Sequence, residues 1–201
     1  MSRGWWLKQI HTWHWISAAV ALAGMLMFAL TGLTLNHADL IPATPRVVDR
    51  GGKLQPSLLS LVQKSPSASD APLPAVVARA VAGEVGLDPA GRAAEWNEGE
   101  VYVAMPRAGG DAWVSIDRMS GEIKSETTDQ GLIASLNDLH KGRNTGLVWR
   151  LFIDAFAAAV LLFSGTGLLL LQFHANHRKK TWPLVGAGVA IPLLLLIFFV
   201  H

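Results

Sequence analysis

Residues 16–35 read ISAAVALAGMLMFALTGLTL, an unbroken run from Ile16 to Leu35 without a charge. A helix needs about 20 residues to cross the roughly 30 Å hydrocarbon layer of a bilayer, so this stretch predicts a membrane span. Two more blocks of the same kind follow. Val148–Phe173 carries only Arg150 and Asp154, and Trp182–Val200 carries no ionisable group. Trp5, Trp6, Trp13, Trp15, Trp149 and Trp182 flank the three blocks, matching the aromatic belt of membrane–water interfaces. The chain therefore reads as an α-helical membrane protein with three transmembrane helices, at 16–35, 148–173 and 182–200. The first run is too long for a signal-peptide core and no small-residue cleavage site follows a shorter one, so it is expected to be an uncleaved anchor.

Charge sets the expected orientation. Arg3 and Lys8 precede the first span, in residues 1–15, and Arg178, Lys179 and Lys180 sit in the basic turn 174–181. Lys and Arg near span ends stay in the cytoplasm, which places residues 36–147 and the C-terminus on the opposite side. The overall charge of +2 hides a division. Residues 36–147 hold 11 Lys/Arg against 14 Asp/Glu, and the remainder hold 6 against 1. So small a net charge gives no support to a nucleic-acid partner. The absence of cysteine excludes disulfides, thiolate metal sites, iron–sulfur clusters and covalently attached c-type haem.

The insert reads as a small α+β domain. Residues 36–71 are rich in Pro, Ser and Gly, and are expected to be a linker with one helical turn at 56–63. LPAVVARAVAGEV (73–85) has helical spacing and ends at Gly86, a suitable C-cap. Segments 92–96, 100–105, 112–117 and 122–126 alternate in polarity between tight-turn residues, predicting about four antiparallel strands within a domain at 72–128. Residues 129–147 begin with an amphipathic helix that leads into the second span.

These segments resemble a family. AEWNEGEVYVAMPRAGGDAWVSIDRMSGEI (94–123) looks like a PepSY-type domain, with the recurrent Asp-x-x-Ser-Gly-Glu turn at Asp117, Ser120, Gly121 and Glu122. FALTGLTLNH (28–37), LNDLHKGRNTG (136–146) and SGTGLLL (164–170) look like the PepSY-associated transmembrane proteins of bacterial inner membranes. The resemblance implies an extracytoplasmic PepSY-like domain held between membrane helices. Some larger members of that group are haem-containing reductases of iron–siderophore complexes, which implies a role in iron uptake and a haem-dependent membrane reductase activity. This chain has fewer spans than those relatives, so whether it is an enzyme stays open, and no catalytic residue is assigned.

Independently of family, the histidines sit at the ends of the spans. His11 and His14 lie at the start of the first and His37 at its end, while His140 precedes the second and His174 and His177 follow it. From His14 to His37 is 23 residues, about 34 Å of helix. With the second span antiparallel, His37 and His140 share one membrane face, and His14 and His174 the other. Two imidazoles from facing helices with an apolar slot between them are what b-type haem needs. The cofactor expectation is haem b, with iron axial ligands His37 and His140 outside and His14 with His174 inside; His11 and His177 are alternates. For each, an ordinary interfacial histidine is the competing reading, and His201 reads as a surface terminus.

Other features are weighed against plainer explanations. NHAD (36–39) and NDLH (137–140) would also suit a divalent transition metal, against helix-end capping by Asn36 and Asp138. Asp154 reads first as the i,i+4 ion-pair partner of Arg150, and second as a residue orienting a ligand histidine or haem propionate. Thr31–Gly32–Leu33 and Thr166–Gly167–Leu168 repeat one tripeptide, each three residues after a Phe, where glycine admits a close neighbour: a packed helix by preference, or a flat macrocycle. No dinucleotide fingerprint, P-loop, GxSxG elbow or HExxH motif occurs. Redox chemistry here would belong to a bound cofactor, with an unidentified electron donor. The leading expectation is haem-mediated electron transfer across the bilayer to a periplasmic acceptor such as a ferric siderophore or flavoprotein. The alternatives are a membrane-tethered module that binds a periplasmic redox or peptide partner, and a divalent-metal-handling accessory protein; homo-oligomerisation is left open.

Overall fold

The computed structural model describes residues 2–65, 70–175 and 178–200. In chain order these form helix α1 (Arg3–Asn36), a short 3-10 turn at Ala38–Leu40, strand β1 (Arg46–Lys53), helices α2 (Pro56–Lys64) and α3 (Ala75–Val85), strands β2 (Glu95–Trp96), β3 (Glu100–Ala104), β4 (Gly110–Asp117) and β5 (Glu122–Asp129), then helices α4 (Leu132–Lys141), α5 (Gly146–His174) and α6 (Thr181–Phe199). They fall into two compact units, one of residues up to Met27 together with those from Leu151 onward, the other Phe28–Arg150.

Three helices are long and apolar enough to cross a membrane. The most apolar windows of α1, α5 and α6 have mean hydropathies of 2.1, 1.9 and 2.3, yet only 11%, 6% and 0% of those windows is buried. Leucines, isoleucines and phenylalanines thus stand outward along all three, in a chain that three apolar blocks already marked as a membrane protein. At 34 residues α1 is about 50 Å long, so the Trp-rich segment before Ile16 continues the same helix. Within the first unit α1 and α5 pack through Gly24. A β-carbon built there would fall 2.3 Å from a ring carbon of Phe156, so a missing side chain is what lets the aromatic ring lie on the helix backbone.

The second unit carries the sheet. Its order is β1-β5-β4-β3-β2, antiparallel throughout. The four expected strands are present. The segment expected to be a linker is a finding in its own right: Arg46–Lys53 is an eight-residue edge strand paired with β5 from Arg46↔Asp129 to Lys53↔Glu122. Its reading failed because an edge strand with no fully buried residue has little alternation to display, and Gly51 and Gly52 mimic a turn. Likewise the single turn expected near Pro56 is the nine-residue α2, started by proline at its first position.

One face of the sheet is covered. Val77, Ala78, Val81 and Val85 recur at helical spacing on α3 and meet Val101, Val103, Val114, Ile116 and Ile123, all buried, with Val62 of α2 and Trp96 closing the core. Gly86 ends α3 in the left-handed conformation, φ 73°, its N–H bonded to the Ala82 carbonyl. The β4–β5 turn is held by Asp117, whose carboxylate accepts the Met119 and Ser120 N–H groups and the Ser120 hydroxyl. Those hydrogen bonds, led by the Ser120 N–H, hold the Asp117 carboxyl below its usual range. Arg118 beside it is buried and donates to the carbonyls of Val62, Gln63, Ser65 and Asn97. It thereby caps the C-terminal end of α2 with a cation.

The other sheet face is open. Tyr102 and Trp113 lie on it with ring centres 6.0 Å apart. Burial, then the fields of Asp111, Glu95, Glu100 and Glu126, push the Tyr102 hydroxyl above its usual range.

Candidate functional site

The repeated tripeptides organise two matching seats for histidine. In a helix, positions i, i+3 and i+4 share a face, so Phe28, Thr31 and Gly32 line one side of α1. His140, from the last turn of α4, lies there. Its Nδ1 is 2.8 Å from the Thr31 hydroxyl, its ring centre 5.1 Å from that of Phe28, and a β-carbon on Gly32 would stand 3.3 Å from its Cε1. Phe163, Thr166 and Gly167 form the same surface on α5, and His14 of α1 occupies it. The Thr166 hydroxyl is 3.0 Å from Nδ1, the Phe163 ring stacks at 4.8 Å, and a β-carbon on Gly167 would stand 3.2 Å from Cε1. The expectation that these glycines admit a close neighbour holds, and the neighbour is an imidazole.

In each seat Nδ1 is the nitrogen that meets an oxygen. Thr166 donates to the Leu162 and Phe163 carbonyls, leaving its oxygen to accept, and His14 Nδ1 also lies 3.2 Å from the Phe163 carbonyl, which can only accept. Both contacts of His14 Nδ1 are ones that an Nδ1–H tautomer would satisfy. The Thr31 hydroxyl likewise lies 3.2 Å from the Phe28 carbonyl, to which it can donate while accepting from an Nδ1–H of His140. His11, His37 and His174 each point Nδ1 at a carbonyl one turn back, on Leu7, Leu33 and Leu170, at 2.9, 3.0 and 2.8 Å. All five described span-end histidines thus set Nδ1 against an oxygen, and none of their Nε2 atoms has a hydrogen bond among the described residues. A metal-binding imidazole presents itself in this way: one nitrogen anchored, the other open.

In the first unit the histidines converge. His14 and His174 line one cavity of about 600 Å³ with Gly167, Leu170, Leu171, Thr181 and Arg178. The rings of His11 and His174 stand edge to face, 6.3 Å between centres. This donor set fits a haem. Two imidazoles, two leucines and a guanidinium able to pair with a propionate line one space. His177 lies outside the described residues, as does His201.

In the second unit the expected pairing of His37 with His140 is not formed. His140 is seated on Thr31, whereas His37 is exposed at the end of α1, makes no ring contact among the described residues, and is bonded back to Leu33. The metal constellation at NHAD and NDLH is not assembled either; among the described residues no group of three or more His, Asp or Glu could hold a metal ion. Asp138 does not cap a helix start. It is buried and accepts the Gly109 N–H at 2.9 Å and the Arg143 guanidinium at 2.7 and 2.9 Å, tying α4 to the turn before β4. Asp154 stands exposed on α5 and makes no ion pair or hydrogen bond among the described residues, so the ion pair expected for it is absent.

Sequence reasoning missed the two threonines and Arg178. The threonines were visible as a Phe-x-x-Thr-Gly-Leu repeat, but nothing local to the repeat names the ring it receives from a distant helix. Arg178 read only as an orientation charge.

No curated protein and no solved structure matches the chain. One family model does match it, over residues 5–201, and its description is PepSY_TM-like. A match of that length, on a chain of three apolar helices around a small α+β domain, assigns the family: the chain belongs to the PepSY_TM-like family.

Proposed function

We propose that this protein binds b-type haem in the membrane and passes electrons from the cytoplasmic to the periplasmic side of a bacterial inner membrane. The observation that carries the reading is the shared cavity of His14 and His174, two imidazoles with Nε2 open, bounded by leucines and Arg178. His14 and His174 would hold the iron and Arg178 would pair with a propionate, with Thr166 holding His14 in register. On α4, His140 supplies a further seated imidazole, held against Thr31. When bound there, haem would supply one-electron transfer from an unidentified donor to an acceptor such as a flavoprotein or a ferric siderophore, whose Fe(III) would become Fe(II). The acceptor class follows from the family resemblance, and the orientation from the basic residues at the span ends.

A second reading has its own support. The open sheet face with Tyr102 and Trp113 among carboxylates suits a membrane-tethered module that binds a periplasmic partner. Haem content separates the two. Protein purified from haem-replete cells should carry haem, and His14→Ala or His174→Ala should remove at least half of it. Colourless wild-type protein would leave the tethered module as the function.

A further inference from the structure

The two histidine seats share three contacts: a ring on a phenylalanine, Cε1 on a glycine, and Nδ1 on a threonine hydroxyl whose own hydrogen goes to a backbone carbonyl. Helix packing would be served by the first two alone. The third contact is directional, because a hydroxyl that has spent its hydrogen on the backbone can only accept.

We propose that Thr31 and Thr166 are positioning residues that set the tautomer of His140 and His14, so that each imidazole keeps its proton on Nδ1 and offers the Nε2 lone pair to a ligand. Histidine in water favours the opposite tautomer, with the proton on Nε2, which would block that nitrogen as a ligand. Both threonines are buried, so water does not compete for the bond. The two seats differ in one respect. His14 Nδ1 has the Phe163 carbonyl as a second acceptor at 3.2 Å, while His140 has the Thr31 hydroxyl as its one acceptor among the described residues. The tautomer at His140 therefore depends on its threonine more than the tautomer at His14 does. The proposal rests on the haem reading only for what Nε2 then binds.

The test is side-chain nitrogen NMR of the full-length protein, labelled at histidine and held in lipid nanodiscs without added haem. Wild type should show His14 and His140 with Nδ1 protonated and Nε2 bare. Thr31→Val should lower the ratio of that tautomer to the other at His140 about fivefold, the equivalent of losing one hydrogen bond worth roughly 1 kcal/mol, and leave His14 unchanged. Thr166→Val should act on His14 alone and by less. Thr31→Ser and Thr166→Ser should restore the wild-type ratios. An unchanged His140 tautomer in Thr31→Val overturns the proposal, as does a valine variant that perturbs all the histidines together, which is what a purely packing role would give. Midpoint potentials of haem-loaded protein form the second arm, where Thr166→Val should shift the potential and Thr166→Ser should not. If the protein takes up no haem but the tautomers respond as stated, the haem reading fails and this one stands.

Discussion

Arg118 shows how much one side chain can hold. Its guanidinium satisfies carbonyls at the end of α2 and in the turn after β2, and it lies 5.8 Å from the Trp96 ring centre. Arg118→Ala would strand those acceptors in the core, at a cost of about 3 kcal/mol, read as a lower denaturant midpoint with hydrogen exchange accelerated in α2. An unchanged midpoint would mean that water replaces the guanidinium freely. Tyr102 offers a cleaner titration, because it is the only tyrosine in the chain. Its hydroxyl is raised by burial and four carboxylates, so phenolate absorbance should appear above pH 10 and move toward the ordinary value in Glu126→Gln. The unfolded chain ionises first, so this group's contribution to stability is present below pH 10 and is lost as pH rises through the folded value. Asp117 has the opposite sign. Its lowered carboxyl contributes above the unfolded value of 3.8 and loses that contribution as pH falls through the folded one. At this scale the sequence displayed the Asp117 turn and every span-end histidine. It could not display the guests of Thr31 and Thr166, because a hydroxyl that meets a ring from a remote helix has no local signature.

Among the elements, α1 and α5 depend on glycines that differ in what surrounds them. A methyl on Gly24 would overlap the Phe156 ring, whereas one on Gly186 of α6 meets nothing within 4 Å. Gly24→Ala should lower the thermal midpoint of the detergent-solubilised protein, and Gly186→Ala should leave it unchanged or raise it through helix propensity. Equal effects would mean that the Phe156 contact carries no packing energy. The helices were legible because apolar length alone identifies them, and α3 because Val77, Val81 and Val85 repeat at helical spacing. Strand β1 was not legible. RVVDRGGK (46–53) buries almost nothing, and its place at the sheet edge comes from hydrogen bonds to β5 rather than from any pattern of its own.

For the molecule as a whole, composition divided by position was the decisive signal. Three apolar blocks, an acidic insert and basic ends foretold a membrane protein with one folded insert, and the family match spans it almost entirely. The absence of cysteine makes the orientation directly testable. Ser120→Cys, on the β4–β5 turn, should react with a membrane-impermeant thiol reagent on intact spheroplasts, and Lys179→Cys only after lysis; the reverse pattern would invert the direction of electron flow argued above. Function was less legible, because histidines at span ends become a site only when a fold brings two of them to one cavity. The central claim is that His14 and His174 hold a haem there. The most direct measurement is the visible spectrum of the purified, dithionite-reduced protein, compared with His14→Ala and His174→Ala. The wild type should show sharp Soret and α bands of six-coordinate haem that collapse in both variants; a colourless wild type, or bands that survive both substitutions, would mean that His14 and His174 hold no haem.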